Sequence, residues 1–97
     1  MIVRVFRATV HPGREADFER FLRETGIPAV TKCAGLVSTC VGRPMPGGQG
    51  EFVFVSVWKD LAALQGFAGA RWQEPVIHPS EAAVIARAEV EHYELLG

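Results

Sequence analysis

Residues 51–58 read EFVFVSVW, and such a segment shows hydrocarbon whichever way it is turned. β-branched and aromatic residues at this density suit a strand. Side chains alternate between the two faces of a strand. Phe52, Phe54, Ser56 and Trp58 therefore share one face, and Val53, Val55 and Val57 share the other. Residues 2–10 (IVRVFRATV) repeat the pattern, with Ile2 and Phe6 on one side and Val3 and Val5 on the other. A sheet built on these two strands needs cover on both faces, because each large apolar side chain left in water costs roughly 1.5–3 kcal/mol.

The rest of the chain supplies cover for one face. After the break at His11-Pro12-Gly13, Phe18, Phe21, Leu22 and Thr25 fall at i, i+3, i+4 and i+7, one stripe of a helix over 14–25. Its other face is charged, with Glu19 and Arg23 as an i,i+4 pair. Gly26 and Pro28 disturb the helix, which continues at most through Lys32. Gly35 opens a second strand over 36–43. Residues 44–50 (PMPGGQG) form a connecting loop; a phosphate cradle would need a GK[ST] and a following helix. Asp60 is a natural N-cap for a helix from Leu61. Short helical pieces are expected around 71–73 and 80–84, and a last strand over 86–95.

Strand, helix, strand, strand, helix, strand is the split βαβ order of an α+β ferredoxin-like sandwich. Right-handed crossovers put both helices on one face of a four-stranded antiparallel sheet, with the first and third strands central. The 97 residues make a single domain, 1–97, with a modest core of its own. The 48% apolar content is high for that size and points to an interface. Neither the loop at 44–50 nor the terminus is long or apolar enough to cover the second face. A second copy of the chain is the economical cover, so a homodimer is expected.

Composition removes several function classes. A net charge of -1 gives no electrostatic case for nucleic acid or acidic lipid. Arg4 and Arg7 interrupt the N-terminal apolar run, which leaves neither a membrane span nor a signal peptide. The cytoplasm is the expected location. Cys33 and Cys40 are expected reduced, with Cys40 in the core beside Leu36 and Ser38. His11, His78 and His92 follow no metal-binding spacing, and no cofactor is expected.

Several segments resemble one family. They are the opening strand with His11-Pro12-Gly13, the helix bearing Phe18, then Pro28 and Gly35-Leu36. Phe54-Val55-Ser56-Val57-Trp58 running into Asp60-Leu61 follows, and His92-Tyr93-Glu94-Leu95-Leu96 closes the chain. In order and spacing they resemble the antibiotic-biosynthesis-monooxygenase-like family, whose subunits pair into a dimeric α/β barrel. The resemblance implies a ligand cavity between the helices and the sheet of each subunit. Some members oxidise polycyclic aromatic quinols with neither metal nor flavin, and others bind and degrade haem. Both groups use an asparagine, and this chain has none. On the same alignment the haem degraders' tryptophan falls on Phe67, their asparagine near Phe6 and their haem-ligating histidine near Ile77. Haem degradation is accordingly disfavoured.

The candidate site follows. His92 shares a parity with Val90 and points to an apolar side, where a neutral imidazole could act as base or acid; the competing role is a core histidine with a backbone or carboxylate partner. Trp58, Phe67 and Trp72 are candidates to hold an aromatic ring, with Phe6 beside them. Arg4 and Arg7 sit in a central strand, where burial demands partners. Glu89, Glu91 or Glu94 could supply one, and an anionic ligand group is the alternative for Arg4. Tyr93, on the opposite face, suits a dimer contact. The expected function is cofactor-independent oxygenation of a small aromatic or polyketide-like molecule, with His92 moving the proton. Its rival is a non-catalytic binding or regulatory module using the same cavity.

Overall fold

A computed structural model describes residues 1–97. Four strands, β1 (Ile2–Val10), β2 (Leu36–Gly42), β3 (Phe52–Trp58) and β4 (Ile85–Glu94), form one antiparallel sheet in the order β2-β3-β1-β4. The apolar strands β1 and β3 are central, as their two-sided patterns require. Helices α1 (Glu15–Phe21), α2 (Ile27–Thr31) and α3 (Leu61–Ala68) complete the expected element order. Asp60 caps α3 by accepting from the Ala63 N–H at 2.8 Å.

Three local features depart from the sequence reading. The first helix continues toward Lys32 as allowed, but residues Leu22–Gly26 form a π-helical turn between α1 and α2, a geometry that recurs at functional sites. There Gly26 lies so close to the sheet that a Cβ on it would meet the Phe54 ring at 3.1 Å. Secondly, the 71–73 and 80–84 segments are turns rather than helices. Thirdly, a bulge at Val37 shifts the β2–β3 register, pairing Leu36 with Trp58 and then Ser38 with Val57. The bulge inverts the alternation beyond it. Thr39 and Val41 face the helices, and Cys40 falls on the opposite face and is exposed instead of joining the core.

Register places one polar row across the helix-facing surface. Thr39 pairs with Ser56, Ser56 with Arg4 and Arg4 with His92. The adjoining row, Val41, Phe54, Phe6 and Val90, is apolar. Two hydrophobic clusters form under the helices. One gathers Ala8, Phe18, Leu22, Phe52 and Val84. The other gathers Val30, Trp58 and Leu64. Phe54 packs against both.

The second face stays open in the single chain. Val3, Val5, Val53, Val55 and Val57 are half-buried there, while residues 45–50 and 95–97 are exposed and do not fold over them. Arg7 pairs with Glu91 on this face at 3.0 Å, one of the partnerships the sequence offered, and Tyr93 donates its hydroxyl to the other Glu91 oxygen. Glu19, expected to pair with Arg23, lies 3.9 Å from it and binds Arg43 more closely, at 2.9 Å.

Candidate functional site

Between the two clusters lies a cavity of about 110 Å³, partly open to solvent. Its walls are mostly hydrocarbon: Phe6 and Phe54 from the sheet, Phe21, Leu22, Ala29 and Val30 from the helical layer, Phe67 from α3 and Val76 from the turn region. The π-helical turn contributes Thr25 and Gly26. Four further polar residues reach the lining: Arg4, Ser56, His78 and Glu81.

Arg4 is 3% exposed, on a central strand. Its Nη1 donates to the Trp72 carbonyl at 2.7 Å, and its Nη2 to the Glu74 carbonyl at 3.1 Å. Nη1 also lies 2.9 Å from His92 Nε2. An arginine can only donate, so Nε2 accepts and the His92 proton sits on Nδ1. The guanidinium also stands 5.9 Å from the Phe67 ring centre. No carboxylate pairs with it; of the two strand arginines it is Arg7 that makes the expected ion pair, with Glu91. Burial lowers its pKa to about 10, so it remains a cation at neutral pH.

The structure separates the expected site residues. Arg4, Phe6 and Phe67 line the cavity; His92, Trp58 and Trp72 do not. The basic nitrogen of His92, Nε2, accepts from Arg4. Burial, then the Arg4 charge, lowers its pKa. Trp58 is fully buried one layer back, stacked 5.4 Å from Phe67 and donating to Ser56 Oγ at 2.9 Å. It therefore supports two lining residues without touching the space. Trp72 meets the His92 ring edge-on at 4.9 Å, and the two line a separate, more open groove with Met1, Lys59 and Tyr93.

Sequence reading missed the cavity's titratable pair. Glu81 is 4% exposed. One carboxyl oxygen accepts the His78 N–H at 3.0 Å, and the Glu81 N–H donates to the His78 carbonyl at 2.9 Å. Burial pushes the Glu81 pKa up to about 7, against the smaller opposing effect of that His78 N–H. His78 Nδ1 accepts from the Ser80 N–H at 3.1 Å, which leaves Nε2 as the nitrogen that carries a proton, with no partner in the chain. The cavity thus offers a carboxyl able to exchange a proton near neutrality and an imidazole N–H donor. Glu81 lies in a turn, where no periodicity marks a buried acid.

Residues 1–72 match the sequence profile of the antibiotic biosynthesis monooxygenase family. The chain belongs to that family. Solved structures of similar fold include a protein from Nitrosomonas europaea described as an antibiotic biosynthesis monooxygenase, 15% identical over 100% of both chains with a TM-score of 0.77. A variant of SnoaB, a cofactor-independent oxygenase from Streptomyces nogalater, is 21% identical, over 99% of this chain and 93% of that one, with a TM-score of 0.72. A variant of MhuD with two manganese protoporphyrins per active site is 19% identical, over 99% and 95%, with a TM-score of 0.75. No curated protein sequence matches the chain. Glu81, His78 and His92 all lie beyond the matched residues of this monooxygenase-family chain. At about 110 Å³ the space is far too small for a porphyrin and limits a ligand to one or two rings.

Proposed function

We propose that this monooxygenase-family protein binds a small one- or two-ring phenol in the Phe-lined cavity and oxygenates it without metal or flavin. Glu81, not His92, is the proton-transfer group. The observation that carries this reading is a buried carboxyl with a pKa of about 7 on the wall of an aromatic cavity.

For 1-naphthol the reaction is C10H8O + O2 → C10H6O2 + H2O. The Glu81 carboxylate takes the phenolic proton, and the negative charge spreads to the para carbon. That carbon bonds to O2, and the peroxide takes the proton back from Glu81. Loss of water leaves the quinone, so one oxygen atom enters the product and one enters water. The ring supplies all four electrons. In this reading Phe21, Phe54 and Phe67 hold the ring, and the His78 Nε2–H donates to an oxygen of the ligand.

Two copies of the chain are proposed to join through the valine-lined sheet face, since nothing else in the chain covers it. Oxygen uptake with 1-naphthol, and the appearance of 1,4-naphthoquinone, tests the activity. The wild type should consume oxygen and Glu81→Gln should not; equal rates in the two would overturn the role of Glu81. The missing asparagine favours the rival, a binding module, which predicts a raised melting temperature with 1-naphthol recovered unchanged.

A further inference from the structure

Arg4 is the most deeply buried charge in the chain, and every partner it has is neutral. A cation removed from water without a counter-charge costs several kcal/mol. Such a cost persists where an anion is to be received. The guanidinium has five N–H donors. Two on Nη1 and one on Nη2 are engaged by Trp72, His92 and Glu74. The remaining two lie on Nε and Nη2, adjacent nitrogens whose spacing fits the two oxygens of a carboxylate. No buried side-chain nitrogen or oxygen lacks a partner. Nε has none in the protein, so it borders open space, and the cavity is the space Arg4 lines.

Glu81 lines the same cavity, whose wall thus carries a fixed cation and an exchangeable acid together with Phe6, Phe21, Phe54 and Phe67.

We propose that the natural ligand is an aromatic acid, its carboxylate gripped by the Nε and Nη2 edge of Arg4 and its ring lying against Phe54 and Phe67. This rests on the cavity reading above and specifies its substrate class: a hydroxyarene carboxylate, with the hydroxyl directed to Glu81. The engaged donors of Arg4 keep the turn at 72–74 in place while the free edge takes the ligand.

Benzoate and benzamide have nearly the same size and shape and differ in charge. Their binding to the wild-type protein is compared by calorimetry at pH 6 and constant ionic strength. The Nε–H resonance of Arg4, assigned through its side-chain carbons, is followed by NMR. Benzoate should bind at least about tenfold tighter, the scale of one charge-assisted hydrogen bond, and should shift that resonance. Equal affinities, or benzoate binding that leaves the resonance unmoved, would overturn the carboxylate assignment while leaving the cavity reading intact. Failure of both to bind would overturn the two together. No substitution at Arg4 is needed, so loss of folding cannot confuse the result.

Discussion

Arg4 Nη1 donates to His92 Nε2 across 2.9 Å, between neighbouring strands of the sheet. The bond makes His92 the acceptor for a buried cation and takes its lone pair out of reach of a ligand. His92 is a positioning residue for Arg4, and through Arg4 for the turn carrying Trp72 and Glu74.

His92→Ala should cost about 1.5–3 kcal/mol, the range for a hydrogen bond to a charged group, read as a fall in Tm of roughly 10 °C. In the wild type the His92 ring resonances should titrate below 6.5, since burial and Arg4 both disfavour the second proton. The unfolded chain takes up that proton near 6.5 and the folded chain resists it, so this group's contribution to stability is lost as pH falls. A His92 midpoint above 6.5 would contradict the assignment.

Glu81 has the opposite sign. Its folded pKa, about 7, lies above its ordinary value of 4.5. Between those values the folded chain holds a proton that the unfolded chain has released, so stability falls as pH rises. The full shift corresponds to roughly 3 kcal/mol, and solvent in the half-open cavity reduces it to about 1–2 kcal/mol. Glu81→Gln should therefore raise stability at pH 8 relative to the wild type and leave the two similar at pH 4. Denaturant titrations at the two pH values decide it; equal gains at both would show that charge is not the cause.

Gly35 and Gly47 both have φ near +85, but only one is crowded. A Cβ on Gly35 would collide with Ala63 of α3, while one on Gly47 meets nothing within 4 Å. Gly47→Ala should cost about 1 kcal/mol from backbone strain alone. Gly35→Ala should cost a further 1–3 kcal/mol from overpacking. Equal losses of Tm in the two variants would mean that α3 does not press on the start of β2.

Val55 sits mid-strand on the open face. Light scattering of the wild type at micromolar concentration should report twice the mass of the chain. Val55→Glu should report the single chain, because a carboxylate buried at a sheet-to-sheet contact costs several kcal/mol. A monomeric wild type would remove the proposed pairing.

Strand order and facing were legible because β1, β3 and β4 keep their alternation across the site; the one shift between β1 and β4 falls beyond it, at Thr9 and Val10. The same count that put Phe54 inward put His92 there too. Cys40 was misplaced because one extra residue at Val37 resets the count, and nothing in LVSTCVG announces a bulge. The partners of Arg4 were invisible for another reason. Besides His92 they are main-chain carbonyls of a turn, which carry no side-chain signature, whereas Glu89, Glu91 and Glu94 looked like partners. Glu81 escaped notice because an acid after Pro79-Ser80 reads as a surface helix start. Its burial is set by the packing of Val84 beside it, a tertiary fact.

Arg4 and Ser56, the members of the polar band on the cavity wall, lie between two oily clusters that draw the layers together at either end. Ser56 and three of the Arg4 donors already have partners, so closing the gap over them would add little. Vacancy at this waist is a stable arrangement rather than a flaw in assembly. Replacing the band with aliphatic residues would be expected to yield a sturdier protein with nowhere left to house a guest.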